Sequence, residues 1–291
     1  MLREFAPAKI NLFLHAGEKR PDGFHELESL VVFADVGDDL ALEEADGLSL
    51  AVDGPFAAGL PDEADNLVLK AAREFTTRVG CEARTKITLT KNLPIASGMG
   101  GGSSDAAAAM RGLCRLSPGQ AGLTQLWGIA PNIGSDVAVC VLPGAWWMTG
   151  RGERFSTVRG IGTIDAVLVN PGVPLATAAV FEKLEGRSGV GQTARPANCA
   201  NAQALADYLK AMKNDLEEPA TKLCPAIGEE LRALSKYGAR LARMSGSGAT
   251  CFGLFDNEGV ARFAAESIER EQPGWWVRAA KLNAAREWKF Q

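Results

Sequence analysis

Histidine is scarce in this chain of 291 residues, which carries only His15 and His25. Neither belongs to an HExxH or a Cys/His cluster, so a structural zinc site is not expected. No CxxC occurs among the six cysteines, at 81, 114, 140, 199, 224 and 251. Spaced widely among apolar neighbours, they read as reduced, buried thiols. No run approaches the roughly 20 apolar residues that cross a bilayer. The opening MLREFAPAKINLFL places charges at 3, 4 and 9, where a secretory leader needs an apolar stretch. The expectations are no membrane partner and a cytoplasmic location. Positive charge is not in excess either: 31 Lys and Arg against 35 Asp and Glu give a net charge of -4, without a continuous basic stripe. A nucleic-acid partner is therefore not expected, although a single nucleotide needs only a local positive spot. With 46% hydrophobic and 23% charged residues, and no low-complexity tract or internal repeat, the composition is that of a folded globular chain.

The length allows one large domain or two of roughly 130 to 160 residues. FAPAKINLFL, LESLVVFADV and LALEEADGLSLAVDG read as short strands of a mostly antiparallel sheet. In DEADNLVLKAAREFTTRVG, Leu67, Ala71 and Phe75 fall at helical spacing, with Asp65 placed to cap. A strand, a glycine-rich turn and a helix follow, then a short helix, a loop around 132–136 and a hairpin. STVRGIGT, residues 156–163, is the candidate boundary, dividing the chain into 1–158 and 159–291. Beyond it come a strand, the helix PLATAAVFEKL, a polar surface loop, two helices interrupted near Pro219, and a strand, turn, strand, helix, strand series. Both halves mix strands and helices in α+β fashion, without the regular βαβ repeat of a doubly wound sheet.

Residues 94–107, PIASGMGGGSSDAA, pose the main chemical question. Glycines at 98, 100, 101 and 102 clear side chains from the backbone, and Ser103 and Ser104 stand at the start of a helix. Unpaired amides there point outward and the helix dipole favours an anion, which makes a phosphate cradle. It is not a Walker A loop, because no lysine precedes the hydroxyl, nor GxGxxG, because Ser103 stands at the last glycine. The alternative, a plain strand-to-helix turn, does not need so dense a run of glycine, each costing about 0.5 to 1 kcal/mol where its freedom is unused. A second glycine turn, SGSGAT at 245–250, reads equally as a ligand-contacting loop or a tight turn.

In AKINLFL, period-two alternation puts Lys9, Asn11 and Phe13 on one face, a reacting face or a solvated edge. DGFHE places Phe24 and His25 on a loop, suited to a planar ring or merely to the surface. Asp136, in NIGSDVAV, is a carboxylate at a strand or helix mouth that becomes a plausible catalyst only beside a lysine and a phosphate site.

Together PAKINLFL, DGFHELESL, LPIASGMGGGSSDAAAA, GSDV, NPGVPLATAAVF, KNDLE and MSGSGATCF, spread over residues 7–252, resemble the GHMP kinase superfamily and within it the 4-diphosphocytidyl-2-C-methyl-D-erythritol kinases. The resemblance implies a two-domain α+β GHMP kinase fold with the active site in the interdomain cleft. It implies phosphorylation by ATP, with Mg²⁺, of the C2 hydroxyl of a small cytidine diphosphate substrate in non-mevalonate isoprenoid synthesis, by a monomer or homodimer. Lys9 and Asp136 are the implied catalytic pair. Pro94, Ile95, Ala96, Ser97, Gly98, Met99, Gly100, Gly101, Gly102, Ser103 and Ser104 match the ATP-binding segment, with Ser104 near the metal. Asn11, Phe24, His25 and Phe181 match positions that hold the cytidine end, Phe181 covering the base from the side opposite Phe24. Asp105 ranks below Asp136 as a base. Phe24 stands where tyrosine is commoner, Ala138 where proline is usual and Met99 where leucine is usual; none removes a reacting group. The alternatives are a homoserine- or mevalonate-type kinase of the superfamily, or a non-catalytic nucleotide-binding module of the same fold.

Overall fold

The computed structural model describes residues 1–58, 60, 66–82, 84–185 and 189–284. Its first forty-four residues form a long antiparallel hairpin, β1 (Leu2–Lys19) and β2 (His25–Glu44), with Leu2 opposite Leu42 and Lys19 opposite His25. Short strands were the expectation. Register shifts at Pro7/Lys9, Asn11/Phe13 and Ala16/Lys19 instead let two long strands bend and twist without breaking. The shift between Asn11 and Phe13 also interrupts the simple alternation. Lys9 is 4% exposed and Asn11 1%, which removes the solvated-edge reading. His25 opens β2 rather than lying in the preceding loop.

Around this hairpin, β3 (Ser49–Asp53) runs parallel to β4 (Thr85–Thr90), which pairs antiparallel with the second half of β2. β5 (Trp146–Gly150) pairs with the first half of β2 and with β6 (Arg154–Thr157). Beyond residue 163 a second antiparallel group forms from β7 (Ile164–Asn170), β8 (Leu241–Met244), β9 (Cys251–Phe255) and β10 (Trp276–Leu282), in the order β10, β7, β9, β8. Leu282 of β10 pairs with Ala34 of β2 and joins the two groups.

Three helices and a short turn cover the first group: α1 (Leu67–Val79), α2 (Gly101–Leu116), α3 (Leu123–Ile133) and α4 (Val137–Cys140). Asn66 caps α1 by accepting from the Val68 amide; Asp65, the expected cap, lies outside the described residues. Ala106 to Ala109 of α2 are fully buried, and four small side chains in a row let this helix approach β1 and α1 closely. The second group carries α5 (Thr177–Glu182), α6 (Ala202–Leu209), α7 (Glu217–Leu223), α8 (Ala226–Lys236) and α9 (Glu258–Glu271). Pro219 does not interrupt a helix as expected. It sits in the first turn of α7, where its missing N–H costs no intrahelical bond, and the stretch forms three helices rather than two, with breaks at 210–216 and at Cys224 and Pro225.

Buried Arg111 ties the pieces that carry the site. From α2 its Nε donates to Glu4 Oε2 at 3.2 Å, Nη1 to the Cys140 carbonyl at 2.9 Å and Nη2 to the Phe5 carbonyl at 2.6 Å. One guanidinium thus links the glycine-loop helix to β1 and to α4. Replacing it by leucine leaves Glu4 with Arg115 as its remaining cationic partner, at 2.6 Å, and removes the donor shared by the Phe5, Cys140 and Val141 carbonyls; a loss of about 2 to 4 kcal/mol is expected from denaturant unfolding.

Glu230 of α8 is the opposite case. It is fully buried, and neither carboxyl oxygen has a hydrogen-bond partner. Burial pushes its carboxyl well above the usual range, with the Cys251 thiol opposing. An unfolded glutamate ionises near a pKa of about 4.3, so the folded chain must hold a proton that the unfolded chain releases. The residue's contribution is therefore most favourable below that pKa and is lost as pH rises. Glu230→Met is expected to be more stable than the parent at neutral and alkaline pH, with the advantage shrinking towards pH about 4. Urea midpoints across that range test this, and a pH-independent difference would contradict it.

Candidate active site

The segment between β4 and α2 forms one wall of a cavity of about 950 Å³. Pro94, Ile95, Ala96, Ser97, Gly98, Gly100, Gly101, Gly102 and Ser103 all line it. Gly100 is the N-cap of α2 in the left-handed conformation, at φ 61°, which turns the chain so that the first helical amides open onto the cavity. Gly98, at φ 75°, is fixed by a different constraint: a Cβ there would fall on the Ser245 carbonyl and 2.7 Å from the Gly248 amide nitrogen. The second glycine turn is therefore packed against the first. Ser245 Oγ donates to the Gly98 carbonyl at 3.1 Å, the Thr250 amide donates to the Ser97 carbonyl at 3.0 Å, and Gly246 and Ser247 also line the cavity.

Two residues of the expected nucleotide segment are elsewhere. Met99 is buried in the core, and its carbonyl accepts from the Lys9 amide at 2.8 Å. Ser104 is fully buried and donates its hydroxyl to the Pro7 carbonyl at 2.8 Å. It does not line the cavity; of the two adjacent serines only Ser103 does.

Lys9 and Asp136 meet from opposite ends of the first half. Lys9 Nζ lies 2.8 Å from Asp136 Oδ2, the lysine side chain 5% exposed and the aspartate 33%. Asp136 is the N-cap residue of α4 but makes no side-chain cap, and its carboxylate faces the cavity. Asn11 sits beneath the pair: its Oδ1 accepts from Lys9 Nζ at 3.3 Å, its Nδ2 donates to Ser29 Oγ at 2.8 Å and its amide donates to Ser245 Oγ at 3.1 Å. It thereby steadies Lys9 and joins it to the second glycine turn.

Sequence reasoning passed over a second buried charge cluster. Lys91 Nζ donates to Asp105 Oδ2 at 2.9 Å and to Asp38, whose Oδ1 accepts from the amides of Asn92 and Leu93. Burial alone would lower the Lys91 ammonium, but Asp105 and Asp38 hold it above its ordinary value. Burial pushes the Asp105 carboxyl well above the usual range, with Lys91 opposing. Asp105 gives Oδ2 to Lys91 but also lines the cavity, its Oδ1 without a hydrogen-bond partner, whereas Asp136 is the carboxylate in contact with Lys9. The available signal was the position of Lys91, just ahead of the NLP that leads into the glycine stretch.

Phe24, His25 and Phe181 line the same cavity. His25 Nδ1 is 3.0 Å from the Gly17 carbonyl, an acceptor, which assigns the proton to Nδ1 and leaves Nε2 free to accept. The Phe181 ring stacks directly on that imidazole, with centroids 5.3 Å apart and planes 26° from parallel. Phe24 is 50% exposed, with the Arg151 guanidinium 5.2 Å from its ring centre. Two flanking rings need roughly 7 Å between them to admit a third, so no base fits between His25 and Phe181 while they touch.

Residues 66–144 match the model for the GHMP kinases N terminal domain and residues 197–274 that for GHMP kinases C terminal. A 4-diphosphocytidyl-2-C-methyl-D-erythritol kinase of Roseobacter denitrificans is 45% identical, over 97% of this chain and 94% of its own. One of Cereibacter sphaeroides is 48% identical, over 97% and 99%. A solved 4-(cytidine 5'-diphospho)-2C-methyl-D-erythritol kinase superposes with a TM-score of 0.79 at 29% identity, covering 98% of this chain and all of its own. A homoserine kinase from Cytophaga hutchinsonii shares the fold, with a TM-score of 0.72 at 18% identity. Because the likeness in sequence runs at this level through nearly the whole chain rather than through the glycine loop alone, the protein belongs to the GHMP kinases, in the family of 4-diphosphocytidyl-2-C-methyl-D-erythritol kinases.

Proposed function

We propose that the protein transfers the γ-phosphoryl group of ATP to the C2 hydroxyl of 4-diphosphocytidyl-2-C-methyl-D-erythritol, giving the 2-phosphate and ADP. The observation that carries this reading is the Lys9–Asp136 pair, at 2.8 Å, in one cavity with a glycine-rich helix N-terminus and with His25 and Phe181. Amides of the glycine loop and the α2 dipole receive the phosphates. Asp136 accepts the proton of the acceptor hydroxyl as the oxygen bonds to phosphorus, and Lys9, held by Asn11, orients that carboxylate and offsets the charge that develops. Residues 1–158 supply the catalytic pair and the phosphate wall, and 159–291 supply Phe181 and the second glycine turn.

Among the described residues no group of three or more His, Cys, Asp or Glu could hold a metal ion. That donor set suits a magnesium ion carried in on the nucleotide, since Mg²⁺ is commonly held by one or two protein oxygens besides phosphates and water. Ser103, Asp105 and Asp136 line the cavity with side-chain oxygens that would meet it. When bound, Mg²⁺ neutralises charge on the transferring phosphates. No described helix is long and apolar enough to cross a membrane. Six unpaired cysteines support a reducing compartment such as the cytoplasm.

At the other part of the cavity, the cytosine takes the place of His25 as the stacking partner of Phe181. The freed imidazole then meets the polar edge of the base through Nε2. A coupled assay with ATP, Mg²⁺ and the cytidine diphosphate substrate tests the overall reading, and turnover of homoserine or mevalonate in its place would overturn it.

Asp136→Asn keeps shape and removes the proton acceptor, so kcat is expected to fall by about 10² to 10⁴ with nucleotide affinity retained. Calorimetry beside steady-state kinetics separates the two quantities, and near-normal kcat in this variant would assign the base elsewhere. Phe181→Ala is expected to raise KM for the cytidine substrate about tenfold or more, in line with the stacking energy of a base on an aromatic ring. The KM for ATP should stay unchanged. An effect confined to ATP would move Phe181 to the purine end.

A further inference from the structure

We propose that Glu28 is a positioning residue for the base-binding end of the cavity, acting through the polar segment 189–195 that it latches onto the hairpin. The proposal deepens the kinase reading above and rests on it for the identity of the ligand. Glu28 stands on β2, three residues beyond His25, and is only 2% exposed. A carboxylate at that depth is costly unless it is paired. Its Oε2 accepts from the Gly191 amide at 3.0 Å and from Thr193 Oγ1 at 2.9 Å. His15 Nδ1 lies 3.3 Å from Thr193 Oγ1 and 3.9 Å from the same carboxylate oxygen. Burial lowers the His15 pKa against the opposing charges of Asp215 and Glu28. Because Thr193 spends its one proton on Glu28, its oxygen is left to accept from the His15 Nδ1–H.

The latched segment continues as a strap. The Ala194 carbonyl accepts from Tyr208 at 2.8 Å, and Arg195 donates to Ser156 Oγ at 2.8 Å while lying over the Trp147 ring. None of residues 189–195 lines the cavity, so any influence on the ligand is indirect. The route runs through Gly17. Val190, the neighbour of Gly191, rests on Gly17 so closely that a Cβ at position 17 would come within 2.8 Å of Val190 Cγ2. The Gly17 carbonyl accepts from His25 Nδ1 at 3.0 Å, and His25 carries Phe181 on its face. Glu28 therefore fixes Val190, Val190 fixes the Gly17 peptide, and that peptide sets the tautomer and tilt of the imidazole. Releasing the latch leaves the phosphate wall, Lys9 and Asp136 untouched and loosens only the ring that must part from Phe181 and meet the base.

Glu28→Gln and Thr193→Val test this, with Thr193→Ser as the conservative control. Steady-state kinetics of the intact enzyme, both substrates varied, are expected to show KM for the cytidine substrate raised about five- to tenfold, the loss of charge-assisted hydrogen bonds. The kcat and the KM for ATP should remain within about twofold of the parent, and Thr193→Ser should restore the parental KM. Hydrogen exchange on the free protein provides a readout independent of any substrate: Glu28→Gln should speed exchange at Gly191 and also in the peptide spanning 15–25. Faster exchange at 189–195 alone, with the cytidine KM unchanged, would reduce the latch to local packing and overturn the proposal. So would an equal rise in both KM values, the sign of general loosening. A parent enzyme that does not turn over the cytidine substrate would defeat the kinase reading instead, while the exchange experiment would still decide whether the latch reaches His25.

Discussion

The two glycine turns occupy each other's side-chain space, and the site is assembled around that contact. A Cβ at Gly98 would meet Ser245 and Gly248, and one at Gly246 would lie 2.8 Å from the Gly98 carbonyl oxygen. The first turn precedes α2 in the N-terminal half and the second joins β8 to β9, so backbone meets backbone where the halves converge. Glycine here creates room for another part of the same chain as well as for a ligand. Hydrogen bonds from Ser245 and Thr250 hold the contact, and Asn11, bonded to Ser245 and touching Lys9, connects it to the Lys9–Asp136 pair.

Around that contact the protein buries an unusual amount of charge, and each group is answered by a specific partner. Lys9 has Asp136, Lys91 has Asp38 and Asp105, and Arg111 has Glu4 together with several carbonyls. Buried pairs of this kind contribute little net stability against an apolar alternative, but removing one partner is expensive. Their consequence is geometric. The helix that follows the glycine loop is tied to Lys91 through Asp105 and to α4 by Arg111, and Asp136 reaches Lys9 at 2.8 Å. A phosphoryl-transfer site gains from such fixed charge because the protein does little covalent chemistry and positions groups instead.

The end of the cavity proposed for the base is built differently. Phe24 is half exposed, Phe181 lies on a helix of six residues, and the stacked His25–Phe181 contact must part for a base to enter. On the proposed reading, a rigid phosphate end joined to a more adjustable base end lets the cytidine group be recognised while the reacting atoms stay in register.

What the residues determined on their own was local chemistry and composition. The glycine run ahead of an alanine-rich helix, the thiols among apolar neighbours and the helical spacing of Leu67, Ala71 and Phe75 each depend on near neighbours, and each is visible as a string. The order of motifs also marked the family. Tertiary structure alone decided which hydroxyl faces the cavity, because Ser103 and Ser104 are adjacent and chemically alike, and only the Pro7 carbonyl, 97 positions away, claims one of them. It likewise decided that Asp105 serves Lys91, that Glu28 holds a segment more than 160 residues distant, and that Lys9 and Asn11 are buried in a strand covered on both faces. Propensity and periodicity are properties of neighbouring residues, whereas a buried polar group takes its partner from whatever the packed chain brings within about 3 Å of it.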